Sequence, residues 1–232
     1  MTAGTLKILS SIKNLTVLMS EPNYIAIEGV IGAGKTTLAR MLARELKAEL
    51  LLDDAMNNPF LPDFYKNPKL NAFSAQLFFL LTRYQQQQKL MVRDLFAQRI
   101  VADYTFARDR LFASVNLSER ELLLYEKLLP LLTSEIPRPD LTIYLQASTP
   151  VLQERIRLRN VNFERTIDNN YINRLNDAFN YYFFHYEDSP LLVVKTDDID
   201  FVRNEEDFKN LVEIIRKPVS GKKYYVPAGA EV

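Results

Sequence analysis

The sequence contains no cysteine, which excludes disulfide bonds and thiolate metal ligands and is typical of a reducing compartment. Its only histidine, His185, falls in an aromatic helical pattern, which favours a packed or surface side chain over a catalytic one. No apolar run approaches the roughly 18 residues needed to span a bilayer, and residues 1–21 lack the pattern of a signal peptide. We therefore expect a cytoplasmic protein that does not bind membranes.

An excess of basic residues is also missing, because Lys+Arg and Asp+Glu balance at 29 each. Without a basic block, a nucleic-acid polymer is not expected as a partner. The 232 residues suffice for one domain with a large core, and Pro, Gly and Ser never cluster into a linker. We expect an N-terminal extension over residues 1–21 and a single domain over residues 22–232.

A glycine-rich segment dominates what is present: Gly29-Val30-Ile31-Gly32-Ala33-Gly34-Lys35-Thr36-Thr37. It fits the pattern G-x-x-x-x-G-K-[ST], and it lies between a β-branched apolar run and a helical pattern of leucines. In such a loop, backbone N–H groups converge on phosphate oxygens at a helix N-terminus. The lysine would bridge the β- and γ-phosphates of ATP, and the Thr36 hydroxyl would hold Mg²⁺. The alternative is an ordinary glycine-rich turn between a strand and a helix.

Apolar runs that read as strands alternate with helical patterns along the rest of the chain. This alternation predicts an α/β fold in which a doubly wound, five-stranded parallel sheet is flanked by helices, as in P-loop NTPases. The five expected strands cover residues 24–28, 50–54, 99–103, 141–147 and 191–195.

Three carboxylates follow expected strands, at the edge where α/β sheets bind ligands: Asp53, Asp54 and Asp103. Each alone is equally explained as a turn or cap residue. Together with the glycine loop they indicate phosphoryl transfer, which needs a metal ligand and a group that deprotonates the acceptor. Asp103 suits the metal beside Thr36, and the Asp53–Asp54 pair suits the acceptor.

Several further motifs occur in one order and spacing: Asn58-Pro59-Phe60-Leu61, Phe64-Tyr65, Gln76 with Arg83, Ala102-Asp103-Tyr104, the arginines of segment 155–159, and Phe163-Glu164. With the glycine loop, they make the chain resemble the deoxyribonucleoside kinase family, and most of all its bacterial deoxyadenosine/deoxyguanosine kinase branch. The resemblance runs from about Tyr24 to Phe208. It implies an enzyme of nucleotide salvage that uses ATP and Mg²⁺ to phosphorylate the 5′-hydroxyl of a deoxynucleoside.

The resemblance also assigns roles on the acceptor side. Asp53, five residues before Asn58, matches the general base, although the family usually has Glu there, so Asp54 stays an alternative. Tyr65 and Glu164 match the pair that hydrogen-bonds the sugar 3′-hydroxyl.

The nucleobase contacts follow in the same way. Gln76 matches the residue that binds the base through its amide, and Arg83 and Asp109 match a polar pair on the far side of the base. This set implies a deoxyadenosine or deoxyguanosine acceptor and leaves deoxycytidine open, because a glutamine amide can turn over to suit different base edges.

Two arginines on one helix face, Arg155 and Arg159, match the phosphate-binding lid of the family, with Arg157 facing elsewhere. The chain departs from the family twice. Val161 stands where the lid usually has a further arginine, and Tyr104 follows the strand-ending acid where animal members have arginine. Residues 197–201 resemble the loop over the donor adenine.

Three alternatives stay open at this point: a nucleoside monophosphate kinase, a non-catalytic nucleotide-binding switch, and a catalytically weakened family member. The resemblance further implies a homodimer, for which the helical patterns over residues 72–93 and 171–185 offer surfaces.

Overall fold

Strand β1 (Tyr24–Glu28) lies near the middle of the sheet, and all five of its residues are buried. The computed structural model describes residues 21–91, 99–133, 136–197 and 199–225. On one side β1 pairs in parallel with β3 (Ile100–Ala102), and on the other with β4 (Leu141–Gln146). Their apolar, β-branched residues suit a strand that is covered on both faces.

The remaining strands extend the sheet outward from this centre. They are β2 (Glu49–Leu51), β5 (Leu191–Lys195) and β6 (Lys222–Tyr225), and the spatial order is β2-β3-β1-β4-β5-β6 with every pairing parallel. The predicted α/β fold with a parallel sheet is therefore confirmed, and each of the five expected strands is found. The expected number of strands was wrong, because the sheet has six strands within the described residues.

The sixth strand escaped prediction because its sequence, Lys-Lys-Tyr-Tyr, shows no alternation of apolar and polar residues. Three of its four residues are exposed, as is usual for an edge strand. Gly221 precedes it with a φ of 62°, a left-handed turn that directs the chain alongside β5. The register is set by pairing of Val193 with Tyr224.

Eight α-helices connect the strands in the described part of the chain: α1 (Lys35–Glu45), α2 (Leu61–Lys66), α3 (Pro68–Met91), α4 (Ala107–Asn116), α5 (Glu119–Thr133), α6 (Thr149–Arg159), α7 (Asn169–Phe184) and α8 (Glu205–Arg216). Short 3₁₀ turns occupy Ala55–Asn57 and Asn162–Thr166. None of the described helices combines the length and the apolar character needed to cross a bilayer.

Three apolar clusters form among the described residues, and two of them hold most of these helices in place. The larger one joins the sheet to α1, α6, α7 and α8, with Leu38 and Leu42 of α1 fully buried. A second cluster packs α3, α4 and α5 together around Leu80, Ala113 and Tyr125. Because α3 and α4 are fixed against each other, side chains on their facing sides are held at one end of the sheet.

The topology brings the expected site residues to one edge. The loop after β1 is the glycine-rich segment, and Asp103 follows the neighbouring strand β3 directly. From β1 the chain runs to β2 on one side, and the connection from β3 to β4 crosses to the other side of β1. A crevice therefore opens at the carboxyl ends of these strands, where α/β folds bind ligands. The expected N-terminal extension, residues 1–21, lies almost wholly outside the described residues.

Candidate active site

The glycine loop wraps the N-terminus of α1 in a conformation that depends on its glycines. Gly34 is the N-cap residue and has a φ of 96°, in the left-handed region that residues with a side chain seldom adopt. Gly32 also has positive φ, and a Cβ there would lie 2.7 Å from the carbonyl oxygen of Leu152 in α6. The loop therefore packs tightly against the helix that carries the lid arginines.

Lys35 is held inside this loop, where its Nζ donates a 2.8 Å hydrogen bond to the carbonyl of Val30. Burial and the positive charge of Arg108 together lower the pKa of Lys35 to about 7, against the opposing effect of Glu28 and Asp103. The carboxylates near the Lys35 ammonium group do not offset the cost of burying its positive charge. A bound polyphosphate would supply further negative charge and stabilise the ammonium form.

Thr36 and Asp103 meet at the start of α1. The Thr36 hydroxyl donates to Oδ2 of Asp103 at 2.5 Å, and Oδ1 of the same carboxylate accepts from the backbone N–H of Asp53 at 2.7 Å. A hydroxyl next to a carboxylate is a donor set that suits Mg²⁺ bound together with phosphates. The same carboxylate also fixes the backbone of the loop after β2, which carries Asp53.

Asp53 lies beyond β2 and is paired with Arg83 of α3. Nε of Arg83 donates to Oδ1 at 3.1 Å and Nη2 donates to Oδ2 at 2.7 Å. Burial alone would raise the pKa of Asp53, but the guanidinium groups of Arg83 and Arg108 outweigh it and hold this pKa below its ordinary value. Asp53 is therefore a carboxylate at neutral pH. The neighbouring Asp54 instead accepts a hydrogen bond from Asn57, outside the cavity.

Asp109, in the first turn of α4, gathers the predicted base-binding residues. It forms an ion pair with Arg83, and its carboxylate and backbone carbonyl accept hydrogen bonds from Nε2 of Gln76 at 3.0 and 2.8 Å. The Tyr125 hydroxyl donates to Oδ2 at 2.6 Å. Gln76 and Arg83 are seven residues apart, which is two helical turns, so both lie on one face of α3.

The predicted sugar-binding pair also comes together. Tyr65 is half-buried, and desolvation, with the nearby Tyr171 and Glu164, raises its pKa well above the ordinary value. Glu164 is almost fully buried and is paired with the lid residue Arg159, whose Nε donates to Oε2 at 3.0 Å.

The second lid arginine has different partners. Arg155 donates to the hydroxyl and the carbonyl oxygen of Thr196 at 3.0 and 2.6 Å, just beyond the end of β5. Arg157 faces away and pairs with Glu154 on the exposed side of α6, as predicted.

These groups surround one cavity of about 980 Å³. The predicted site residues that line it are Ile31, Gly32, Ala33, Gly34, Lys35, Thr36, Thr37, Asp53, Tyr65, Gln76, Arg83, Asp103, Arg155, Arg159 and Glu164. Gly29, Val30 and Asp109 do not line it. Asp109 is fully buried behind Gln76 and Arg83, so it contacts the cavity only through them.

A model of deoxynucleoside kinases matches residues 25–220. The chain belongs to the deoxynucleoside kinase family. It is 35% identical to a deoxyguanosine kinase of Bacillus subtilis over 204 residues, which cover 86% of this chain and 99% of that protein. It is 38% identical to a deoxyadenosine kinase of Dictyostelium discoideum over 164 residues, covering 68% and 66%.

A solved structure with a similar fold is also a deoxynucleoside kinase. A deoxyadenosine kinase from M. mycoides, solved with the products dCMP and a flexible dCDP bound, superposes with a TM-score of 0.72 at 26% identity and covers 82% of this chain and 99% of that one. The expected activity, that of an ATP-dependent deoxynucleoside kinase, is confirmed by these matches.

Two residues of this deoxynucleoside kinase site were missed from sequence. Arg108, in α4, lines the cavity and binds Glu28, the last residue of β1, through Nε and Nη2 at 3.2 and 2.9 Å. Its Nη1 lies 3.3 Å from Oδ2 of Asp53. The sequence offered a signal for Glu28, because it is an ionisable residue at the end of a wholly apolar strand. A buried charge in that position needs a partner of opposite charge.

Proposed function

We propose that this kinase transfers the γ-phosphate of ATP to the 5′-hydroxyl of purine deoxynucleosides, deoxyadenosine or deoxyguanosine, with Asp53 as the general base. The observation that carries the proposal is the placement of the Asp53 carboxylate. It faces the cavity that Lys35 and Thr36 also line, and a salt bridge keeps it ionised. An ionised carboxylate beside a phosphate-binding loop can accept the proton of an alcohol acceptor.

The donor would lie on the glycine loop. Backbone N–H groups at the start of α1 and the Lys35 ammonium would bind the phosphates of ATP. Thr36 and Asp103 would hold Mg²⁺, which when bound offsets charge on the phosphate oxygens. Residues around Phe201 line the cavity next to the loop, as expected for a segment over the donor base.

The acceptor would lie between α2, α3 and the lid. Tyr65 and Glu164 would hydrogen-bond the sugar 3′-hydroxyl, and Arg155 and Arg159 would offset negative charge on the transferring group. Both arginines line the cavity, but they are bound by Thr196 and Glu164 in the ligand-free protein. Phosphate binding would therefore involve an exchange of their partners.

Gln76 supports a base that carries an amino group. Its Nε2 is engaged by Asp109, so the amide oxygen is the atom offered to a ligand. An acceptor oxygen suits the exocyclic amines of adenine, guanine and cytosine, which thymine lacks. The names of the relatives, deoxyguanosine kinase and deoxyadenosine kinase, support the purines among these.

A nucleoside monophosphate kinase would need a cation for the acceptor phosphate. The two arginines beside Asp53 do not offer one, because Arg83 is bound by Asp53 and Asp109, and Arg108 by Glu28 and Asp53. Each is almost fully buried, so releasing either would leave carboxylates unpaired in the interior.

We also propose a cytoplasmic homodimer whose single kinase domain spans residues 22–232. The support is a set of exposed leucines on α5, Leu123, Leu124 and Leu131, together with the exposed Leu81 of α3, the helix that packs against α5. Apolar side chains grouped in this way on a monomer surface commonly mark a protein interface. The aromatic helix α7 buries Phe179 and Phe183 in the core and exposes Tyr181 and Phe184.

The test is ADP release from Mg²⁺-ATP with deoxyadenosine, deoxyguanosine, deoxycytidine, thymidine and dAMP as separate acceptors. We expect the highest kcat/KM with a purine deoxynucleoside and none with dAMP. Release with dAMP alone would identify a nucleoside monophosphate kinase. Tight ATP binding without release for any acceptor would support a nucleotide-binding switch.

A further inference from the structure

Arg108 is a buried cation that lines the cavity and has no role in the proposed mechanism so far. It belongs to the first turn of α4, its side chain is 5% exposed, and it lines the cavity between the glycine loop and Asp53. Arg110, one residue beyond Asp109, carries the same charge but is 64% exposed and pairs with Glu126 on the surface. Burying a charged guanidinium group has a desolvation cost, which indicates that Arg108 has a function in the site.

Glu28 fixes the orientation of the Arg108 side chain. One carboxylate oxygen of Glu28 accepts from the backbone N–H and the hydroxyl of Thr105 at 2.6 and 2.9 Å. The other oxygen accepts from Nε and Nη2 of Arg108, and also from the N–H of Gly29 at 3.2 Å. Nη2 further donates to the Asp103 carbonyl at 2.9 Å. The guanidinium plane is thus set by groups at the ends of β1 and β3.

The remaining nitrogen of this fixed group, Nη1, is directed at Asp53, with 3.3 Å between Nη1 and Oδ2. Oδ2 also accepts from Arg83, which approaches from α3 on the other side. The Asp53 carboxylate is therefore clamped between two guanidinium groups. One of them belongs to the nucleobase side of the cavity and the other to the phosphate side.

We propose that Arg108, oriented by Glu28, is a positioning residue that holds the Asp53 carboxylate toward the phosphate loop for proton transfer from the acceptor hydroxyl. This inference rests on the proposed role of Asp53. Geometric control of this kind matters because a displacement of about 1 Å at a reacting group can cost on the order of a hundredfold in rate. It matters more here, since Asp53 is a short side chain that must reach the hydroxyl from a fixed backbone.

The test combines steady-state kinetics with a double-mutant cycle. We expect Arg108→Ala to lower kcat by roughly 30- to 300-fold, while KM for ATP and for the deoxynucleoside changes by less than about threefold. Arg108→Lys, which keeps the charge but not the planar fork, is expected to recover only part of the loss. Arg110→Ala, the control from the same helix, is expected to keep the parent kcat.

The cycle separates positioning from a general structural effect. If Arg108 acts through Asp53, adding Arg108→Ala to Asp53→Asn should change kcat by less than about twofold, because the two losses are not additive. Equal losses of kcat in both backgrounds would overturn the proposal, and so would a kcat within threefold of the parent in Arg108→Ala alone.

A variant that removes both buried charges together serves as the control for loss of folding. The double variant Glu28→Gln/Arg108→Met leaves no unpaired charge between these two residues, and such neutral replacements are often tolerated. With a melting temperature near that of the parent, it should still show the loss of kcat. A parent enzyme that releases no ADP with any deoxynucleoside would instead contradict the proposed function, which separates the two failures.

Discussion

Arg83 donates one hydrogen bond to each carboxylate oxygen of Asp53, a bidentate pair with distances of 3.1 and 2.7 Å. The same guanidinium forms an ion pair with Asp109, which in turn binds Gln76. The group proposed as the general base is therefore connected to the residues proposed to read the nucleobase. This connection explains why a carboxylate so deeply buried stays ionised, and it makes Asp53 the first residue to test.

Asp53→Asn keeps the shape of the side chain and removes its capacity to accept a proton. We expect kcat to fall by ~10²–10⁴-fold, the usual contribution of a general base. Binding of deoxynucleoside, measured by calorimetry, should survive within a few-fold because the sugar and base contacts are unchanged.

Asp54→Asn is the matched control for this substitution. Asp54 contacts Asn57 and does not line the cavity, so its variant should keep the parent kcat. The reverse pattern, with Asp53→Asn active and Asp54→Asn inactive, would assign the base to Asp54.

Nucleotide binding should take up a proton in alkaline buffer. The pKa of Lys35 is lowered to about 7 in the ligand-free protein, so at about pH 8.5 its amine is mostly neutral. Bound phosphates favour the charged form and raise this pKa, so close to one proton should enter with ATP at about pH 8.5, where the phosphates of free ATP are already fully ionised. Calorimetry in buffers of different ionisation enthalpy counts these protons.

Lys35→Arg supplies the control for that experiment, because a guanidinium stays charged across this range. If the variant binds ATP, its proton uptake at alkaline pH should vanish. Undiminished uptake in Lys35→Arg would place the titrating group elsewhere.

Tyr125→Phe removes one hydrogen bond to a buried carboxylate without changing the packing of the ring. The lost bond joins the Tyr125 hydroxyl to Asp109 at 2.6 Å. A bond to a charged group contributes about 1.5–3 kcal/mol, so the free energy of unfolding should fall by that amount in urea titrations. Tyr181→Phe, at an exposed position of α7, should stay within about 0.5 kcal/mol of the parent.

Leu124→Glu tests the proposed dimer. A carboxylate in the middle of the exposed face of α5 would have to be desolvated at an apolar interface, so the variant should elute as a monomer in light-scattering chromatography. Leu158→Glu, an equally polar change at an exposed position of α6, should leave the mass of the parent unchanged. A parent that is itself monomeric contradicts the proposal.

The main strands were predictable because their apolar runs are short, β-branched and bounded by turn residues. β1 and β5 begin and end where their sequences indicate. β6 was not predictable, since its pairing is decided by the open edge of β5 and not by any pattern in Lys-Lys-Tyr-Tyr. Local sequence carries little information about an edge strand whose side chains stay in solvent.

Some residues of the site could be identified from the sequence and others could not. Gln76 and Arg83 were identified because they match motif residues of the family that the chain resembles, and their seven-residue spacing puts them on one face of a helix. Arg108 was not, because it and Arg110 flank the same aspartate and only the phase of α4 decides which of the two is buried. That phase depends on how α4 packs against α3, a long-range contact that a single sequence does not reveal.

The edge strand β6 is connected, through β5, to one of the lid arginines. It lies just beyond the residues that the family model matches and pairs along β5, whose last residue is followed by Thr196, the anchor of Arg155. The pairing of β6 with β5, and the hydrogen bonds of Thr196 after β5 with Arg155, thus connect the edge strand to a lid arginine. The position of Arg155 therefore depends on how the end of β5 is held in the sheet, and β6 contributes to this by pairing along β5.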